Sequence, residues 1–167
     1  MTEAPARPLP EPRDPAWEAR VREGFGAQPF MVHLGASLGA LAPGRVEILL
    51  PIREVLGQQH GFVHAGALWS IADSAGGFAA QSLMAPGDGV LTVELKINLL
   101  SPAHGKTLRA LGQVERAGRS LTVGRSDVYA LESDGDGGGG DSDGAARHVA
   151  TALGTFLCVS EADTVRR

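Results

Sequence analysis

The chain of 167 residues contains one cysteine, Cys158. An internal disulfide and a thiolate-built zinc site are therefore excluded as organising devices, and such sparing use of thiols fits a reducing compartment. A basic excess is also missing. Fifteen Lys and Arg face 19 Asp and Glu, for a net charge of −4. That argues against a nucleic-acid partner held by phosphate neutralisation, while leaving room for a local basic site for a small anion. No run of 18 apolar residues occurs, so no membrane span is expected. The opening MTEAPARPLPEPRDP has no apolar stretch of the signal-peptide kind, and the cytoplasm is the expected location.

What is present is a globular composition, 43% hydrophobic and 20% charged, at the length of one domain. Residues 1–15 carry five prolines and read as an extended or disordered tail. The domain is expected over 16–160, followed by a polar tail at 161–167. PAWEARVREGF (15–25) reads as a short helix with Trp17 and Val21 on one face. GRVEILLP (44–51) reads as a strand, with HLGASLGALAP before it as a hairpin partner. HAGALWSIADSAGGFAAQSLM (64–84) is the strongest helix. His64, Leu68, Ile71, Ala75 and Phe78 recur along one face, and Gly66, Ser70, Asp73 and Gly77 lie on another. In VLTVELKINLL (90–100), strict alternation would put Leu91, Val93, Leu95, Ile97 and Leu99 on one side and Thr92, Glu94, Lys96 and Asn98 on the other. KTLRALGQVERAG and RSLTVGRSDVYALE meet at a turn on Ala117-Gly118-Arg119, and ARHVATALGTFLCV (146–159) closes the domain as a strand. Between them, residues 132–144 hold six glycines and four aspartates and read as a flexible loop.

One long helix among strands joined by short turns predicts an α+β domain. An antiparallel sheet of five or six strands would wrap the helix. Asp73 is the only charged residue on that helix, so the helix should be buried nearly all round. One sheet covers one side, and the small-residue side is then expected to meet a second subunit.

The chemistry concentrates in Gln58-Gln59-His60-Gly61-Phe62-Val63-His64-Ala65-Gly66 and in Asp73. A glycine-bearing loop entering a helix N-terminus offers the free N–H groups of Ala65 and Gly66, backed by the helix dipole, to an oxyanion or a polarised carbonyl. Asp73 is a carboxylate in apolar surroundings and a candidate base or nucleophile. It lies seven residues beyond Gly66, about 10 Å along the axis. If both groups serve one reaction, two antiparallel helices from two subunits must supply them, giving a two-fold dimer with two shared sites. A metal set of His60, His64 and Asp73 lacks the facing geometry of a helical pair. The acidic loop lacks the regular spacing and closing Glu of a calcium loop. No cofactor is expected.

The run Gly61 to Asp73, GFVHAGALWSIAD, with Thr92 to Ala103, TVELKINLLSPA, resembles the hotdog-fold acyl-CoA thioesterases of the phenylacetic-acid-degradation (PaaI) type, over about residues 30–159. The resemblance implies a helix wrapped by an antiparallel sheet, dimers that often pair into tetramers, and metal-free hydrolysis of an acyl-CoA thioester. Position by position, it implies Asp73 as base or nucleophile and His64 as the motif histidine shaping the turn. It implies the Ala65 amide as the polarising donor and Thr92 as a hydroxyl that places water. Arg119 and Ser120 would lie near the docked coenzyme A, and Phe62, Trp69 and Met84 are candidate pocket walls. Two departures stand out: Gln58 replaces the usual Asn, and Ala65 replaces a Gly. A non-catalytic acyl-CoA sensor on the same fold and a hotdog dehydratase are the competing readings.

Overall fold

The computed structural model describes residues 11–132 and 146–160. The expected tails before residue 11 and after 160, and most of the glycine- and aspartate-rich segment, lie outside them. The elements are α1 (Trp17–Gly26), α2 (Pro29–Leu34), β1 (Ser37–Ala42), β2 (Arg45–Pro51), α3 (Ala65–Gln81), β3 (Asp88–Leu99), β4 (Thr107–Ala117), β5 (Leu121–Leu131) and β6 (Arg147–Ser160). The six strands form one antiparallel sheet in the order β1-β2-β4-β5-β6-β3, and α3 packs on its inner face. This is the expected hotdog architecture, a sheet curled round one helix.

The packing follows from residue size. Leu68, Ile71, Ala72, Ala75 and Ala79 of α3 are buried against Ile48, Leu50, Leu108, Ala110, Val128, Ala150 and Phe156. Helix and sheet touch backbone to backbone at one point. A Cβ at Gly112 of β4 would land on the Ala75 carbonyl group, so only glycine admits the helix there. Ser126 on β5 donates to the Ala72 carbonyl at 2.7 Å and fixes the helix along its length.

The C-terminal end of α3 is held by groups with no sequence signature. Arg20 of α1 donates to the carbonyls of Gln81, Met84, Ala85 and Asp88, satisfying acceptors that a helix C-terminus leaves open. Asp14 steadies Arg20 at 3.2 Å, and Arg13 donates to Leu83 O. Residues 13 and 14, read as tail, are thus docked. Ser82 is fully buried. It accepts from Gly44 N and donates to Ala79 O, tying the helix end to the β1–β2 turn.

Three expectations change. The hairpin partner before β2 is shorter than predicted, because residues 29–34 form α2. Pro29 at its first turn and Gly35 at its C-cap, φ 76°, are the usual punctuation, but six residues are too few to display helical periodicity. His64 is not part of the buried helix face. It is the exposed N-cap, extended at φ −65°, ψ 138°. Finally, β3 does not alternate throughout. Thr92 faces Phe156 and Glu94 faces Thr155 on β6, so Val93 is an extra, bulged residue. The bulge inverts the phase. Thr92 joins Leu95 and Ile97 on the helix side, and Leu91 and Val93 are exposed.

Candidate active site

α3 rises from the segment 57–64, which its own backbone folds tightly. Gln58 N donates to Phe62 O, Gly61 N to Gln58 O, Val63 N to Ala103 O and His64 N to Leu56 O. Gly61 has φ 82°, a conformation that favours glycine. The Gln58 side-chain carbonyl accepts from His60 N at 2.7 Å, leaving its amide N–H groups to donate outward.

At the helix start, His64 Nδ1 accepts from Gly66 N at 2.9 Å. The acceptor role puts the proton of the neutral ring on Nε2. It also removes one of the two amides expected to face a ligand, since the Gly66 N–H is committed. Ala65 is exposed and occupies the first helical position, where an N–H has no intrahelical acceptor. Ala65, His64, His60, Gln58 and Phe62, together with Leu99–Ala103, line a cavity of about 540 Å³.

Asp73 lies two turns further on. Thr92 Oγ1 donates to Asp73 Oδ1 at 2.7 Å, a contact that the β3 bulge makes possible. Burial raises the Asp73 pKa above its ordinary value, and the Thr92 hydrogen bond partly offsets this. Asp73, Trp69, Ser70 and Ser74 line a second cavity of about 340 Å³, whose far wall is residues 27–31. That wall, where α1 meets α2, has no counterpart in the sequence reading.

Within one chain the two cavities share no residue. The eight residue steps from Ala65 to Asp73 span about 12 Å of helix. Arg119 and Ser120 are exposed in the β4–β5 turn and border neither cavity; Ser120 O accepts from Cys158 N at 2.8 Å. Met84 is buried in the core, at 2% exposure, and walls neither cavity. Gly77, expected on the outward small-residue face, is buried within the chain. Among the described residues no His, Cys, Asp or Glu side chains cluster as a metal-ligand set, and no helix is long and apolar enough to cross a membrane.

The family model of the thioesterase superfamily matches residues 60–135, which take in α3 and the strands β3, β4 and β5. A thioesterase family protein from Silicibacter pomeroyi is 41% identical, covering 86% of this chain and 98% of its own, with a TM-score of 0.78. The Escherichia coli PaaI protein from the phenylacetic acid degradation operon has the same fold at 18% identity, with coverage of 89% and 96% and a TM-score of 0.73. So does a Bacillus halodurans protein solved with CoA, at 21% identity, coverage of 86% and 91% and a TM-score of 0.67. With its fold and motif segment matched across almost the whole of the Silicibacter protein, the chain belongs to the thioesterase family.

Proposed function

We propose that the protein hydrolyses acyl-CoA thioesters to a free acid and coenzyme A. The observation that carries this reading is Asp73: a partly buried carboxylate, raised in pKa, aimed by Thr92 at the wall of a cavity. Carboxylate Asp73 takes a proton from water as the oxygen adds to the thioester carbonyl. Negative charge developing on the carbonyl oxygen is met by the Ala65 N–H and the positive end of α3. The Gln58 amide N–H adds a second donor. The C–S bond then breaks, and the thiolate leaves and takes up a proton. Direct attack by Asp73, through an anhydride that water opens, uses the same atoms. The solved relative that holds CoA supports a coenzyme A ester as substrate.

Asp73 and Ala65 are too far apart on one helix to meet the same carbonyl. The proposed working unit is a two-fold dimer in which Asp73 of one copy faces Ala65 of the other. The long β3 edge, paired among the described residues with β6 alone, and the exposed α3 stripe of Ala65, Gly66 and Trp69 support such a contact.

The test is thiol release from a panel of aryl and medium-chain acyl-CoA esters. Wild type should release coenzyme A, and Asp73→Asn should lose roughly 10²-fold or more. Tight binding without release would replace this reading with an acyl-CoA sensor. Loss of an enoyl chromophore without thiol release would replace it with a dehydratase.

A further inference from the structure

The chain has five histidines, and three of the rings are committed to neighbours. His64 Nδ1 accepts from Gly66 N at 2.9 Å. His104 Nε2 accepts from Arg147 Nη1 at 2.7 Å, and its Nδ1 lies 3.6 Å from Glu132 Oε1. His148 stacks on Tyr129 with ring centroids 4.8 Å apart and meets Asp127 at 3.3 Å. His33 and His60 are exposed, and neither ring has a partner among the described residues. His33 sits on α2 and borders neither cavity, whereas His60 lines the cavity that holds the Ala65 N–H.

The main chain, not the ring, fixes the position of His60. Its N–H donates to Gln58 Oε1 at 2.7 Å, and Gly61 N closes the turn on Gln58 O at 3.0 Å. The imidazole is thus left open to the cavity from a tight turn. The hydrolytic reading leaves one proton there without a donor. Asp73 Oδ1 accepts from Thr92, and the carboxylate takes its proton from the attacking water, not from the departing group. An alkyl thiolate is a basic leaving group, and a proton delivered as the C–S bond breaks lowers the barrier. The side chains lining this cavity that can carry and yield a proton near neutral pH are His60 and His64. His64 needs its neutral ring to cap α3 through Nδ1, so it cannot serve as the acid.

We propose that His60 is the general acid that protonates the departing sulfur, from the turn that leads into the α3 oxyanion site. This rests on the hydrolytic reading above and adds to it the source of the leaving group's proton. As the tetrahedral adduct collapses, the electron pair of the C–S bond moves to sulfur, and a ring N–H of the His60 imidazolium gives its proton to that sulfur. The exposed imidazole then regains a proton from solvent, and Asp73 releases to solvent the one it took from water.

The experiment varies the leaving group. Thiophenol is a far stronger acid than an alkyl thiol, so thiophenolate departs without help from an acid. Phenylacetyl-CoA and the S-phenyl thioester of phenylacetic acid are compared in wild type, His60→Ala, His60→Gln and His33→Ala, with thiol release as the readout. The bond from the residue-60 N–H to Gln58 is a main-chain donor's, so both substitutions at 60 keep the turn. His60→Ala and His60→Gln should each lose about 10²-fold in kcat on the CoA ester and keep the wild-type rate on the phenyl ester. His33→Ala should match wild type on both. Equal losses on the two esters, an unchanged CoA-ester rate in His60→Ala, or full activity in His60→Gln overturns the acid; the last would leave a hydrogen bond where a proton transfer is proposed. A non-hydrolysable phenylacetyl thioether of coenzyme A should bind wild type and His60→Ala with the same Kd in calorimetry. Binding weakened in step with the rate would make His60 a binding residue and overturn the acid as well. Wild type that releases no thiol from either ester would sink the hydrolytic reading and the acid with it, whereas release that ignores residue 60 sinks the acid alone.

Discussion

Asp73 shows how one residue can be legible as a type and illegible as a geometry. A lone acid among the alanines and glycines of an apolar helix marks itself, because its burial has a cost. Its partner does not, because straight alternation puts Thr92 on the wrong side of β3. The pair gives a pH prediction. Burial raises the Asp73 pKa, so kcat/KM should fall on acidification with a midpoint above the ordinary aspartate value. Thr92→Val removes the hydrogen bond that lowers it, and the midpoint should move further up in a pH–rate profile. Linkage fixes the stability sign. The native carboxyl holds its proton more tightly than the unfolded one. The native state is therefore penalised progressively as pH rises from the ordinary value through the raised one. Above that the penalty is complete. Asp73→Asn should accordingly melt at a higher temperature than wild type at neutral pH, in the same protein that has lost activity. A lower melting temperature would show that the carboxylate is fully compensated in the fold.

Elements were legible in proportion to their length. The seventeen residues of α3 and the apolar run of β2 announce themselves by period and composition. The six-residue α2 is too short for its period to be seen, and it took the cavity wall with it. Contacts that depend on the third dimension leave no local trace. Gly112 reads as an ordinary strand glycine until α3 is laid across it, and Arg20 reads as a solvent-facing helix cation. Gly112→Ala should drive the Ala75 backbone outward and cost about 2 kcal/mol or more, seen as a melting temperature lower by several degrees. Arg20→Ala, which frees four carbonyls between the end of α3 and the start of β3, should cost about 2–3 kcal/mol. A loss below ~0.5 kcal/mol would mean that water replaces the guanidinium without penalty.

At the scale of the whole molecule, the sheet order places β3 at an edge beside β6 although β4 follows it in the chain. Short connections predicted antiparallel strands but not which neighbour each would take. Ala65→Pro separates the proposed oxyanion donor from the fold. Proline is well accepted at the first helical position, and His64 before it is already extended. The protein should therefore fold normally while kcat falls about 10²- to 10³-fold. In mixed dimers of Ala65→Pro with Asp73→Asn, one of the two proposed sites receives an intact residue from each copy. Activity should return to about half that of wild type per mixed dimer, and well-folded heterodimers without recovery would defeat the shared site. The disjoint cavities carry a further consequence. A polypeptide that holds two unlike halves of a catalyst is inert whenever it is alone. On the proposed reading, dilution itself becomes an inhibitor: turnover per milligram should collapse below the dissociation constant of the dimer, and the cell's expression level would set the threshold at which the chemistry begins.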